Sequence, residues 1–263
     1  MPDSGSYGPE EGGRCRLLAF RTADTHLHLL AACGRETAGE LARRVEIALR
    51  RTLALGVPFS PARIKPILDQ HHLSSAFLYV LRQGERHGLE SDRWCEASNL
   101  PDLLGMRVLG TYTAADTRKL LPRLERADLV EILAADLEAP IVSLAPLGEA
   151  AAAAACLPTL DGRSLEAIEA RRAALEVAGG QIASEELARL LNISAPTLRR
   201  MRGRVARPEL TRAVTLQLRV RQESVPAGCD VPAPEAAAPR STGGPDGGGR
   251  RQTDHQRQRG ITP

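Results

Sequence analysis

The stretch TADTHLHLLAAC, Thr22 to Cys33, decides how the N-terminal part of this chain is read. Two histidines one residue apart stand in an apolar run. In a β-strand alternate side chains share a face, so His26 and His28 point the same way, about 7 Å apart along the chain. Two imidazoles so placed can converge on one metal ion, or can be two satisfied histidines of a small sheet. A second apolar run, CRLLAFRT (Cys15–Thr22), precedes them, and Ala23-Asp24 between the two runs predicts a tight hairpin.

Working outward, Thr37 and Glu40 form a capping-box pattern ahead of a helix. Leu41, Val45, Ala48, Leu49 and Leu53 line one face of that helix, Arg43, Arg44, Arg50 and Arg51 the other, and Gly56 and Pro58 end it. ARIKPILD (Ala62–Asp69) predicts a short strand, with Pro66 marking an edge or a bulge. HHLSSAFLYVLRQGERHG follows, with Leu73, Ala76, Phe77, Val80 and Leu81 at helical spacing and Gly88 as the C-terminal cap. Tyr79 and Gln83, four apart, share a direction beside that apolar stripe, and His72 falls on the same line. Hairpin, helix, strand and helix make a compact α+β unit ending near Gly105.

Composition bounds the rest. A chain of 263 residues is long enough for two small domains. Only Lys65 and Lys119 among the 35 basic residues are lysines, so abundant arginine is a habit of the whole chain and no argument for DNA binding by itself. The net charge of +3 names no partner. Cys15, Cys33, Cys95, Cys156 and Cys229 are scattered without a C-x-x-C pair, so neither a zinc knuckle nor a disulfide framework is suggested. Residues 1–13 lack the pattern of a signal peptide, and the longest apolar run, around Ala150–Leu157, is far short of a membrane span. A cytoplasmic protein without a membrane partner is expected. The organisation expected is a flexible tail over 1–13, the α+β domain over 14–110 and a helical linker region over 111–163. A helical region over 164–223 and a disordered tail over 224–263 complete it. Pro122, Pro140, Pro146 and Pro158 cut the linker region into short helices, and the run Ala150–Ala155 reads as linker.

Three segments carry a family resemblance. TADTHLHLL matches the second half of the MPNHVHLL strand of the single-tyrosine HUH transposases, in the branch called REP-associated tyrosine transposases. YVLRQGERHGL (Tyr79–Leu89) lines up with that branch's YIHLNPVRAGL helix, and WCEASNLPDLLG (Trp94–Gly105) with its W-x-x-SS-x-x-x-LLG tail. The order and approximate spacing agree over roughly residues 15–105. The resemblance implies a partial ferredoxin-like HUH domain, an antiparallel sheet with packed helices; the residues beyond it read as an all-α helix-turn-helix region. It implies that Tyr79 attacks a DNA phosphodiester, leaving a 5′-phosphotyrosine and a free 3′-OH, while His26, His28 and Gln83 hold Mg²⁺ or Mn²⁺. A phenol with an ordinary pKa of about 10 is a poor nucleophile at neutral pH, and a metal on the scissile phosphate offsets that. The partners implied are single-stranded hairpin or repeat DNA and a second copy of the chain in a homodimer.

The chain departs from the family at three places. Asp24-Thr25 stand for Pro-Asn, and Gln83-Gly84 for Asn-Pro. The family's opening strand and helix have only MPDSGSYGPEEGG in their place, the pattern of an N-terminally truncated member whose hairpin strands are expected to have unpaired edges. The alternative is a non-catalytic DNA-binding regulator, decayed or domesticated, that keeps the fragment as a scaffold. Asp24–His28 also matches the D-x-H-x-H start of metal-dependent amidohydrolases, but after His87 the next histidine is His255, and there is no room for their barrel.

The segment Ile182–Arg204 fits a helix-turn-helix. Ser184 is placed to cap a first helix, Ala188 is small where two helices cross, and Asn192 suits a left-handed turn. Ser194 is placed to cap a second helix, with Pro196 in its permitted first turn. Ser194, Thr197, Arg199, Arg200 and Arg202 are the candidates to contact duplex DNA. Nine arginines against three acids between Glu185 and Arg221 give a local charge of +6, as phosphate contacts require.

Overall fold

The computed structural model describes residues 15–23, 25–54, 56–88, 92–108 and 111–222, all within one compact unit. The tails expected over 1–13 and 224–263, together with Asp24, Leu89, Cys229 and His255, lie outside the described residues. The architecture is mixed α+β and mostly helical: a two-stranded antiparallel sheet and, among the described residues, eleven helices.

The predicted hairpin is present. β1 (Arg16–Ala23) pairs with β2 (His26–Ala32), and Ala23 stands opposite His26, so two residues separate the strands. The outer edge of β1 is not bare, which corrects the expectation of unpaired edges. Thr22 donates its N–H to the Ala97 carbonyl (2.9 Å), and the Asn99 N–H reaches the Phe20 carbonyl (3.3 Å). The buried Asn99 side chain accepts from the Phe20 N–H and donates to the Leu18 carbonyl, both at 2.9 Å. Thr117 adds a second donor to that carbonyl (3.1 Å). An irregular segment and two side chains thus meet the obligatory hydrogen-bonding groups that a neighbouring strand would otherwise satisfy.

α1 (Arg35–Thr52) starts from Gly34, ahead of the expected Thr37 cap. The physical reason is that Glu40, the acid needed for a capping box, accepts instead from Arg43 and Arg44. No residue of α1 is buried. The strand expected over 62–69 does not form: Pro61 and Pro66 lack N–H donors, no sheet edge receives the segment, and Ile64 and Leu68 are 47% and 80% exposed. α2 (Gln70–Leu81) opens on Asp69, whose carboxylate accepts from the His72 N–H (2.8 Å). It buries Phe77, Val80 and Leu81 in the first core, with Leu73 and Ala76 packed against them, as the spacing predicts. The helix breaks at Arg82 into α3 (Gln83–His87), which ends on Gly88 in the left-handed conformation that glycine adopts freely.

α4 (Leu100–Leu104), α5 (Thr111–Leu120) and α6 (Arg126–Leu133) complete that core, so the middle of the chain packs on the hairpin. The alanine run is a correction. It forms α7 (Leu147–Ala154), and Ala150, Ala151, Ala152 and Ala154 are buried in a second core. Small side chains there serve close helix approach: a Cβ on Gly148 would lie 2.4 Å from the Leu190 carbonyl oxygen. α8 (Leu165–Ala178) is capped by Ser164 and closed by left-handed Gly179. α9 (Ser184–Leu190) and α10 (Ala195–Met201) follow, and α11 (Pro208–Gln222) runs along both cores. Its Leu210, Ala213, Val214 and Leu218 enter the second core, and its Leu216 and Val220 the first. No helix among the described residues is long and apolar enough to cross a membrane.

Candidate functional site

Register sets the site. Directly paired residues of an antiparallel ladder present their side chains to one face. Arg21 is opposite His28 and Ala23 opposite His26, so the two histidines and Arg21 share a face, and α2 and α3 pack on these strands. The His26 and His28 rings meet edge to face with centroids 5.3 Å apart, and His87 at the end of α3 meets His26 at 4.9 Å. The edge of His28 also meets Tyr79 at 5.8 Å, the planes perpendicular. The hairpin histidines and the helical tyrosine that the sequence pairs are therefore neighbours.

Tyr79 is 48% exposed, and its hydroxyl oxygen accepts from Nη1 of Arg86 at 3.3 Å. The Arg86 guanidinium carbon sits 5.7 Å from the Tyr79 ring centroid, so one cation serves both the ring and the oxygen. A shallow groove of about 560 Å³ opens here, lined by Ser75, Leu78, Tyr79, Arg82, Gln83 and Arg86. His72 is not part of the site: its Nδ1 accepts from the Leu68 N–H (3.4 Å) at an exposed position.

Gln83 is 1% exposed, and its amide nitrogen donates to the Tyr79 carbonyl at 2.8 Å. A carbonyl only accepts, so that bond fixes the amide orientation and leaves Oε1 as the free atom. Gln83 Oε1 and His28 Nε2 are both buried without a hydrogen-bond partner. Buried polar atoms are normally satisfied, and two orphaned electron-pair donors on the expected ligand residues suit a cation. Burial, then the neighbouring His26, His87 and Arg86, pushes the His28 pKa below its ordinary value, which favours the neutral imidazole that ligation requires. His26 Nδ1 lies 3.2 Å from the Thr25 hydroxyl. Among the described residues no group of three or more His, Cys, Asp or Glu side chains is disposed to hold a metal ion.

Three further residues belong to the site. Arg86 is seven residues from Tyr79 and His87 four from Gln83, so helical spacing alone was the signal for both. Arg21 was hidden by its place in an apolar strand. It is buried, its Nη2 lies 3.0 Å from the Asp92 carboxylate, and its Nε and Nη1 have no partner. A Cβ on residue 84 would lie 2.8 Å from that Nη2, so the glycine after Gln83 is what lets the Arg21 guanidinium fit.

At the other candidate interface, α9 and α10 pack at a turn where Asn192 takes a positive φ of 48°, as expected for a helix-turn-helix. Ala188 is buried at their contact. The caps differ from expectation. α9 starts on Ala183, and Ser184 accepts from Arg202 at 2.9 Å instead. Ser194 does occupy the N-cap position of α10, but its hydroxyl bonds Thr197 Oγ1 at 3.0 Å and no backbone N–H. Ser194, Arg199, Arg200 and Arg202 are exposed and Thr197 half-buried.

Comparison with known families, curated proteins and solved structures finds no match to this chain.

Proposed function

We propose that this chain cleaves and rejoins single-stranded DNA through a 5′-phosphotyrosine on Tyr79, as a transposase of the single-tyrosine HUH class, and holds duplex DNA with its helix-turn-helix. The hairpin and its helices are then a partial ferredoxin-like HUH domain. The observation that carries the reading is the meeting of the exposed Tyr79 hydroxyl with Arg86, next to His28 and Gln83, whose Nε2 and Oε1 lack partners.

The chemistry balances as a transesterification. The Tyr79 oxygen forms a bond to phosphorus, the bond from phosphorus to the 3′-oxygen breaks, the phenol gives up a proton and the departing oxygen takes one. One phosphodiester replaces another, so the reverse step rejoins strands without a nucleotide cofactor. His26, His28 and Gln83 would hold Mg²⁺ or Mn²⁺, which when bound neutralises and polarises the phosphate. Arg86 supplies fixed positive charge beside the Tyr79 oxygen, which favours the phenolate formed as the phenol gives up its proton. The exposed groove beside Tyr79 admits an extended strand.

The test uses labelled single-stranded hairpin DNA with Mg²⁺ or Mn²⁺ and the readout of a protein–DNA band that survives denaturation. Wild type forms the band and Tyr79→Phe does not. Equal bands from both proteins overturn the assignment of the nucleophile. The second reading, a non-catalytic regulator, is favoured by Leu187, Ala188, Leu191 and Leu198 of the helix-turn-helix being buried in the second core and not in the one that holds α2. It predicts a duplex mobility shift with no covalent band at all.

A further inference from the structure

Outside the Tyr79 site, a concave cleft of about 530 Å³ lies between the start of α8 and α10. Arg163, Arg172, Arg200 and Arg204 line it together with the apolar Ile168 and Met201. Counting Arg171, five arginines and no carboxylate form its wall, and Thr197 adds a hydroxyl.

The wall is built rather than merely solvated. Arg171, 5% exposed, donates from Nη1 to the Gly162 carbonyl (3.0 Å), from Nε to Leu191 (3.3 Å) and from Nη2 to Leu160. Those bonds tie the turn before α8 to the end of α9 and so fix where Arg163 stands. Arg172 is held by Glu169, and its Nε is buried without a partner. Arg200 donates to Thr197 at 3.3 Å. The Asp161 carboxylate accepts from Asn192 and Thr159, and its charge acts on the buried Arg171. No acid among the described residues pairs with Arg163, Arg200 or Arg204. Guanidinium groups gathered around one concavity repel each other until an anion enters. Their planar forks match phosphate oxygens two at a time. The volume is that of a small-ligand site, and an apolar floor beneath a cationic rim suits a ligand with a flat face and a charged end.

We propose that this cleft binds a phosphate-bearing ligand of nucleotide size, its phosphates on Arg163, Arg200 and Arg204 and its flat part against Ile168 and Met201. The ligand is either a free nucleotide or one unit of a DNA strand. The cleft does not depend on Tyr79; it shares Thr197 and Arg200 with the α10 surface read above as duplex-contacting.

The test titrates the full-length protein with a fluorescent ATP analogue, a labelled short single strand and the matching duplex, near physiological salt. The double variant Arg163→Ser/Arg204→Ser removes two exposed side chains that have no acid partner. Its circular dichroism and melting temperature should match the wild type. Arg189→Ser/Arg212→Ser removes the same charge outside the cleft. We expect at least one probe to bind and to lose about tenfold or more in affinity in the cleft variant alone, the loss expected from one charge-assisted contact. A loss confined to the ATP analogue identifies a free-nucleotide site, and a loss confined to a strand or duplex identifies a backbone site. Absence of binding by all three probes overturns the proposal, as does unchanged affinity in the cleft variant or an equal loss in the control. Duplex binding that survives in the cleft variant but fails in Arg199→Ser/Arg202→Ser would sink the cleft while keeping the helix-turn-helix reading.

Discussion

Replacing Asn99 with alanine tests whether an irregular segment stands in for a strand at the edge of β1. The wild-type side chain accepts from the Phe20 N–H and donates to the Leu18 carbonyl, both at 2.9 Å, and is fully buried. In Asn99→Ala the Leu18 carbonyl keeps Thr117 as a donor (3.1 Å), whereas the Phe20 N–H keeps no side-chain acceptor. One orphaned buried donor costs about 1–3 kcal/mol, and the second lost bond adds about 1 kcal/mol, so a loss of about 2–4 kcal/mol is expected. Thr117→Val, which leaves Asn99 on the same carbonyl, should cost no more than about 1 kcal/mol. For a unit of this size the first variant lowers Tm by about 4–16 °C. Urea titration followed by Trp94 fluorescence gives both numbers on one axis, with an unchanged slope as the sign that only stability moved. A loss below about 0.5 kcal/mol for Asn99→Ala would show that the edge of β1 does not need residues 97–99.

Gly84→Ala drives a Cβ into the buried Arg21 guanidinium, and urea titration should register a loss of about 1–3 kcal/mol that Arg21→Met in the same chain largely relieves. If the double variant is no better than the single, the Arg21 contact is not the cause. Gly148→Ala meets the rigid Leu190 carbonyl oxygen rather than a flexible side-chain end, so it should cost at least as much, read in the same way. Burial, opposed by Arg107 at 3.6 Å, holds the Asp102 pKa above its ordinary value. A raised carboxyl pKa gives stability that is present below the unfolded value and lost as pH rises through the folded one. Asp102→Asn should therefore be more favourable relative to wild type at pH 8 than at pH 4, and the opposite ordering refutes the burial argument.

What the sequence makes legible is local or periodic. Phe77, Val80 and Leu81 declare α2 by spacing, and Ser164 and Gly179 bracket α8 with the cap and the left-handed residue that helix ends require. The neighbourhood of His28, Tyr79 and Gln83 is legible because a period of two and a period of about four each keep residues on one face. The failures share a different character. A strand pattern over 62–69 says nothing about whether a sheet edge waits to receive it, and here none does. The alanine run looks like low complexity along the chain, yet in space its small side chains pack α7 against both α8 and α11. Asn99 serves Phe20 from 79 residues away, a separation at which no local pattern operates. Arg21 is polar in an apolar strand, and its reason, a pocket left by Gly84 and an acid at Asp92, exists only after folding.

α11 changes what the helix-turn-helix is. Read along the chain, it resembles an appended module; in the fold it shares a helix with the Tyr79 domain. Leu216 and Val220 of α11 are buried with Leu18, Phe77 and Leu104, while Leu210, Val214 and Leu218 are buried with α7 and α9 residues. Polar contacts follow the same route: Gln217 donates to the Met106 carbonyl (3.0 Å), and Arg221 pairs with Glu96 and lies over the Trp94 ring at 4.6 Å. The Glu96 and Ala97 N–H groups in turn bond Asp92, the partner of Arg21 beneath the candidate site. Because α11 contributes buried residues to both cores, a change in its buried face is expected to destabilise both regions. Exposed arginines of α10 can therefore be altered without touching the Tyr79 site, whereas any change in the buried face of α11 reaches both. On the function proposed above, loss of DNA cleavage in an α11 variant would be evidence about folding first, and a test of DNA recognition requires changes confined to the surface of α10.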